Sequence, residues 1–283
     1  MCFFVQVKSR YDRQSFFAIA IVLLFGFGAL SLAQAAEDWQ ATLTKEPPGT
    51  FPLPRSLRAK YNFGWAGFTA GTADVHFSRT SDDELQLEAV GRTVGLVRAL
   101  WKFDVNYRAT ADAMSLRPKE MNQTETTRKK RLVTQLAFTD AGVTGTRMEG
   151  PPATASTKTR QFNFPNLFDL HTAMLYLRSR ALKDRSVSRI VVYPATSAYL
   201  ATITVIGREK ISVRAGSYKA IKVDLQLSRL GKNLELEPHR KFRRATIWIS
   251  DDPDRIVLRI EAQIFVGTVF AELQSVRFEN PKA

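Results

Sequence analysis

The stretch Ile221-Lys222-Val223-Asp224-Leu225-Gln226-Leu227 decides the fold. Four aliphatic side chains fall on every second residue with polar ones between them, the pattern of a strand with one buried and one solvated face. The same period recurs along the chain. Leu85, Leu87 and Ala89 alternate with Gln86 and Glu88, Ile203 and Val205 with Thr202 and Thr204, and Ile256, Leu258 and Ile260 with Arg255, Arg259 and Glu261. Turn formers stand between such runs: Ser81-Asp82-Asp83, Asp140-Ala141-Gly142, Ala215-Gly216-Ser217, Gly231-Lys232-Asn233 and Asp251-Asp252-Pro253-Asp254, residue types that favour turns for local backbone reasons. About a dozen short strands at this spacing predict a mainly β fold. Its frame is a large curved antiparallel sheet, half-barrel or sandwich-like.

One segment departs from period two. Leu167, Leu170, Met174, Leu177 and Ala181 form a helical stripe between Leu167 and Lys183, flanked by Phe168, Leu175 and Leu182. Asn166 or Asp169 is placed to cap its start, and Arg178, Arg180 and Lys183 suit the dipole at its end. This is the one amphipathic helix expected to pack against the sheet. Thr93 to Trp101 is a shorter candidate, helix or strand, with Val94, Val97, Leu100 and Trp101 as its apolar side.

Upstream, Lys8, Arg10 and Arg13 precede an uncharged, mostly apolar run from Phe16 to Leu32, and Ala33-Gln34-Ala35 supplies a small-x-small cleavage pattern. Residues 1–35 read as a secretory signal cut after about Ala35, which predicts a periplasmic location. The apolar run is short for the ~20 residues of a spanning helix, so no transmembrane span is expected after cleavage. Pro47-Pro48-Gly49 and Phe51-Pro52-Leu53-Pro54 make residues 36–56 a Pro-rich lead-in segment, laid over the surface or mobile. Residues 57–283 then form a single β-rich domain. The one cysteine, Cys2, falls inside the signal, which leaves the exported chain without disulfide or thiol chemistry and without a lipobox cysteine.

The 283-residue chain carries 41 Lys and Arg against 27 Asp and Glu. Removing the signal takes away three basic residues and one acid, leaving 38 against 26 and a charge near +12. Such an excess attracts anionic neighbours, and export argues against nucleic acid. The expected partners are an anionic lipid or glycan of the envelope, or another envelope protein. Exposed Lys and Arg also protect sheet edges without binding anything.

The chemistry-bearing residues do not converge. His76, His171 and His239 have no His, Cys or carboxylate neighbour at ligand spacing, so neither a metal nor a cofactor is expected. No Gly-x-Ser-x-Gly elbow nominates a nucleophile, and Asp251-Asp252-Pro253-Asp254 lacks the calcium-loop spacing. No catalytic residue is nominated, and the chain is expected not to be an enzyme. Two basic clusters remain, Arg128-Lys129-Lys130-Arg131 and Arg240-Lys241 with Arg243 and Arg244. Meeting on one rim, they would suit phosphate. Trp65, Phe68, Trp101, Phe168, Met174 and Trp248 are candidates to line an apolar cavity between sheet and helix, or else to fill a core. The combined expectation is a non-catalytic binding protein for an amphipathic anionic ligand such as a lipid. The alternative is a structural adaptor that docks another envelope component through a sheet edge or basic face.

Four segments carry a family resemblance: Tyr61-Asn62-Phe63-Gly64-Trp65-Ala66-Gly67-Phe68-Thr69-Ala70-Gly71, the helical Leu167-Phe168-Asp169-Leu170 to Leu175-Tyr176-Leu177-Arg178, the strand-turn-strand from Gly207 to Ala220 around Ala215-Gly216, and Ile247-Trp248-Ile249-Ser250-Asp251-Asp252 with Arg255 and the strand to Ile260. In these the chain resembles the bacterial domain of unknown function 3108 family. The resemblance implies an exported, β-rich envelope protein with no established activity, and it supplies no catalytic or binding residues. The plan of a curved sheet with a helix against it is also similar to that of periplasmic lipoprotein carriers and outer-membrane acceptors, an analogy of architecture only.

Overall fold

The computed structural model describes residues 38–151, 155–238, 242–264 and 267–279, the side chains of Phe242 and Arg243 excepted. The expected signal segment and its cleavage site lie outside the described residues, as do Arg240 and Lys241. The chain divides into two compact units, Met1–Leu43 and Thr44–Ala283. In the first, the Asp38 carboxylate accepts from the Gln40 N–H and caps a single 3-10 turn, Trp39–Thr42.

Among the described residues, the second unit contains fifteen strands: β1 (Leu57–Trp65), β2 (Phe68–Ser81), β3 (Glu84–Thr93), β4 (Phe103–Asp112), β5 (Pro118–Thr127), β6 (Arg131–Thr139), β7 (Gly142–Glu149), β8 (Ser156–Asn163), β9 (Val187–Val192), β10 (Tyr199–Val213), β11 (Gly216–Leu230), β12 (Leu236–Pro238), β13 (Phe242–Ser250), β14 (Val257–Ile264) and β15 (Gly267–Phe278). Helix α1 (Gly95–Leu100) lies between β3 and β4, and α2 (Leu170–Ser179) between β8 and β9. The strands form one antiparallel sheet in the order β8-β7-β6-β5-β4-β3-β2-β1-β15-β14-β13-β11-β10-β9, with β12 paired to β11 beside that path. It is a single sheet and not two stacked ones. Sequence neighbours pair along the path except where β13 skips β12 to pair with β11, and β1 pairs with β15, so the order is that of an up-and-down barrel opened between β8 and β9. The two edges still approach. Phe162 of β8 stacks on Tyr193, just beyond β9, with ring centroids 5.9 Å apart, and Arg160 donates to the Thr196 carbonyl at 3.3 Å.

The alternation of β11 is realised in part: Ile221 and Val223 are inaccessible and Leu225 nearly so, but Asp224 is buried too, against Arg244, and Leu227 only half-buried. Leu57, Ala59, Phe77, Leu85, Ala111, Leu116, Leu258 and Leu273 form a core into which α2 inserts Leu175. At Gly64 a Cβ would stand 1.9 Å from the Phe68 carbonyl oxygen, which is why the irregular register between Phe63 and Gly64 requires glycine there.

Helix α2 is shorter than its apolar stripe. Asn166 has φ 59°, and Phe168 is claimed by β9: its N–H donates to Val191 O at 2.9 Å and its carbonyl accepts from Tyr193 N at 2.7 Å. Asp169 therefore takes the cap. Its carboxylate accepts from Thr172 N at 2.7 Å while the Thr172 hydroxyl accepts from Asp169 N at 3.1 Å, a reciprocal capping box. At the other end, the Arg255 guanidinium donates to the carbonyls of Arg178 and Arg180 and lies 3.2 Å below the Phe51 ring. It satisfies acceptors that a helix end leaves open. The turn that delivers Arg255 is built by Asp252, whose Oδ1 accepts from Asp254 N and Arg255 N, each at 3.0 Å.

The lead-in segment is laid over the domain from Thr44 onward. Thr44 exchanges hydrogen bonds with Arg189 of β9, Tyr176 donates to Glu46 O at 2.9 Å, and Gly49 N donates to the Ser179 hydroxyl at 2.9 Å. Thr44 and Phe168 together cover the outer edge of β9, as edge strands require.

Two predictions follow from this packing. A Cβ on Gly49 would meet Ser179 O at 2.1 Å, so Gly49→Val lifts the strap and costs about 1–3 kcal/mol, read as a lower urea midpoint; an unchanged midpoint would contradict the strap's role. His171, buried beside Phe77, is held at about 3 against an ordinary 6.5, by burial first and by the Arg178 charge second. The unfolded chain takes up that proton below 6.5 and the folded chain does not, so stability falls as pH drops from 6.5 toward 3, by about 1.4 kcal/mol per unit well inside that window. Asp169, raised by burial against hydrogen bonds from Thr172 and Tyr107, binds its proton earlier when folded and opposes the loss. Urea midpoints of wild type and His171→Gln between pH 7 and 4 separate the two: the variant should lose less stability on acidification, and parallel profiles would refute the assignment.

Candidate functional site

Tyr107 orients the inner face of the sheet. Its hydroxyl donates to Asp169 Oδ2 at 3.2 Å, so its side of β4 faces α2. Register carries that side across the sheet: Tyr107 pairs with Gln123, Gln123 with Thr134 and Thr134 with Arg147. Four polar side chains thus cross four strands on the helix-facing side. The parallel row is Ala109, Met121, Leu136, Gly145 and Arg160, in which Met121 and Leu136 are buried. A polar track therefore runs beside an apolar one, with Arg160 at the end of the second.

The electrostatics of this face are unbalanced. Arg147 is held below the usual guanidinium range by burial, with the neighbouring Arg160 charge adding to the effect and Glu125 and Glu149 opposing it. Glu125 is pushed up by burial, against a hydrogen bond from the Gln123 amide and the charges of Arg147 and Lys130. Glu149 is engaged by Lys130, whose Nζ is 2.6 Å away. Arg160 Nε and Gln123 Oε1 are buried without a hydrogen-bond partner. Two guanidiniums thus share a partly desolvated wall with Glu125, and a buried donor is left open, which favours an anion or a strong acceptor there.

The residues singled out by sequence lie elsewhere. Arg128 sits at the β5–β6 tip and donates to the Ala99 carbonyl, Lys129, Lys130 and Arg131 are exposed beside it, and Arg244 pairs with Asp224 across β13 and β11. Strands β5, β4, β3, β2, β1, β15 and β14 lie between β6 and β13. The side chain of Arg243 is not described, and Arg240 and Lys241 fall outside the described residues. Of the apolar candidates, Trp65, Phe68 and Trp101 are exposed at strand ends. Phe168 is buried against Tyr176, with ring centroids 5.0 Å apart, and Met174 is half-buried. Trp248 is in the core and donates to Glu209 Oε1 at 2.6 Å. The structure thus separates these six into an exposed group and a packed one. Sequence reasoning passed over Gln123, Glu125 and Arg147. Their signal was an inversion: from Met121 onward, the positions in phase with a buried apolar residue are polar.

Among the described residues, no group of three or more His, Cys, Asp and Glu could hold a metal ion. Nor is any helix there long and apolar enough to cross a membrane.

A search of the curated proteins returned no match. Among solved structures, a β-barrel-like protein of domain of unknown function DUF1849 from Brucella abortus is similar over 81% of this chain and 100% of its own, with a TM-score of 0.52 and 10% identity. That likeness concerns the fold alone. A candidate lipoprotein from Parabacteroides distasonis matches over 82% and 100% of the two chains, with a TM-score of 0.33 and 10% identity. A candidate exported protein with a YmcC-like fold from Bacteroides fragilis matches over 81% and 99%, with a TM-score of 0.31 and 10% identity. These two are too distant in structure to carry an argument. The family model described as a protein of unknown function, DUF3108, matches residues 60–274 and takes in all four segments that resemble it, so the chain belongs to the DUF3108 family.

Proposed function

We propose that this is an exported, non-catalytic protein of the cell envelope that binds an anionic amphiphile on the inner face of its sheet. The observation that carries the reading is the pair Arg147 and Arg160. Like charges brought together and partly desolvated repel, and an incoming anionic head group offsets that cost. The row beside the polar track, through Met121 and Leu136, is apolar but packed shut, so the apolar part of an amphiphile enters only if that row parts. Residues 1–35 act as the secretory signal in this reading, and the mature chain works in the periplasm. The competing reading is an adaptor, favoured by the exposed residues Ser156–Thr159 along β8, a strand at the end of the sheet order.

Two measurements test the reading. Mass spectrometry of an organic extract of the protein, purified mildly from its native envelope, should reveal a stoichiometric anionic lipid; an extract identical to a mock purification counts against it. Titration with lysophosphatidylglycerol below its micelle concentration should then show binding that weakens at least tenfold in Arg147→Gln/Arg160→Gln, as expected for losing charge-assisted hydrogen bonds of about 1.5–3 kcal/mol. The same variant should keep the wild-type circular dichroism spectrum, although it gives up the Arg160 bond to the Thr196 carbonyl between the sheet edges. Equal affinity in both proteins would exclude the inner face, and the adaptor reading would stand.

A further inference from the structure

The end of the sheet formed by the β1–β2 turn, helix α1 and the β5–β6 tip exposes five large apolar side chains. Trp65 is 50% exposed, Phe68 76%, Leu96 76%, Leu100 76% and Trp101 44%. They belong to one contiguous surface. Trp65 and Phe68 pair across the β1–β2 hairpin, and Val94 N donates to Ala70 O at 3.0 Å, which ties the start of α1 to β2. The Thr93 hydroxyl donates to Trp101 O at 3.0 Å and accepts from Phe103 N at 3.1 Å, closing the far end of the loop. Leu96 and Leu100 are four residues apart, so they share one side of α1, and that side faces solvent. A six-residue helix presenting leucines outward is the reverse of what core packing selects.

The unpaired charge around this surface is positive. Arg128 donates to the Ala99 carbonyl inside the α1 loop, which sets the β5–β6 tip against the apolar patch. Lys129, Arg131 and Lys102 are exposed beside it. The nearby carboxylates are already engaged, Asp104 by Arg98 at 2.7 Å and Glu149 by Lys130 at 2.6 Å. Tryptophans whose apolar bodies and N–H groups suit a water–lipid boundary, leucines on a loop helix, and flanking Lys and Arg are the combination that binds an anionic interface.

We propose that this end of the protein docks onto the surface of an anionic phospholipid bilayer. The five apolar side chains enter the interfacial layer and the basic residues meet the phosphates. The apolar residues of the patch are not those of the inner-face wall, so the serine variant tests this proposal and the arginine variant tests the other.

The test is co-sedimentation of the purified protein with vesicles of phosphatidylglycerol and phosphatidylcholine, against vesicles of phosphatidylcholine alone. Binding is expected to the anionic vesicles, to weaken with added salt, and to bring quenching of tryptophan emission when the lipids are brominated. Phe68→Ser/Leu96→Ser/Leu100→Ser, which alters only exposed positions, should bind at least tenfold more weakly with an unchanged circular dichroism spectrum and melting temperature. Lys129→Gln and Arg131→Gln should each weaken binding about fivefold. Absence of wild-type binding, equal binding to both vesicle types, or full binding by the triple serine variant would overturn the proposal.

Discussion

The pairing of β1 with β15 makes the rest of this structure necessary. It runs from Leu57 opposite Phe278 to Trp65 opposite Val269 and joins two meanders, β1 to β8 and β9 to β15, into one sheet. Every other ladder on the path links strands near in sequence, but this one closes a loop of almost the whole domain. Its entropic cost is the largest of any ladder on the path, because the loop it closes is the longest. With the first and last strands joined, a single seam is left between β8 and β9. Edge strands cannot be left bare, so the segment between them must cover an edge, cross the opening and fill the interior.

Residues 164–186 do all three. Phe168 bonds along β9, Asp169 stops the extended chain and starts α2, and Leu175 enters the core. A helix inside a sheet has both ends in poor solvent, and each needs a partner. Asp169 and Thr172 serve the start. The end is served from far away in sequence, by Arg255 on the β13–β14 turn and by the lead-in at Gly49 and Phe51. Arg178 shows the residual strain of this arrangement: burial brings its pKa down to about 10, and its Nε and Nη2 lack hydrogen-bond partners.

Period-two alternation made the strands legible, because Ile221 and Lys222 face opposite sides wherever the strand lies. The one-sheet plan was only half legible. Alternation states that a face is buried, but not whether a second sheet or the same sheet curling round covers it. Helix α2 was visible as a stripe with Asp169 among its two candidate caps, but the choice between Asn166 and Asp169 stayed open because the β-pairing of Phe168 is a tertiary fact that no local periodicity contains. The same limit governed function. Trp65, Phe68 and Trp101 look like core residues by type, and only the register, which puts them at turns, shows that they face solvent. Gln123 and Arg147 are ordinary polar residues until Tyr107, through Asp169, fixes which side of the sheet is the inside.

The excess positive charge is distributed by the same geometry. On the face opposite Tyr107, charges of opposite sign stand across from each other, Arg108 near Glu88 and Lys119 near Glu84, and the His76 ring lies between Glu88 and Glu279. Such exposed pairs contribute little stability each, but they bring the middle of that wall close to neutrality and remove its attraction for anions. The cations that escape this pairing are those the topology puts where no acidic strand neighbour stands opposite. Arg128 is at a tip and bonds a carbonyl, and Arg160 faces Gly145 across the edge ladder. An up-and-down sheet has two such places, its turns and its inner face. Part of the net charge of this chain is expressed there, beside exposed aromatics at one and beside buried Met121 and Leu136 at the other.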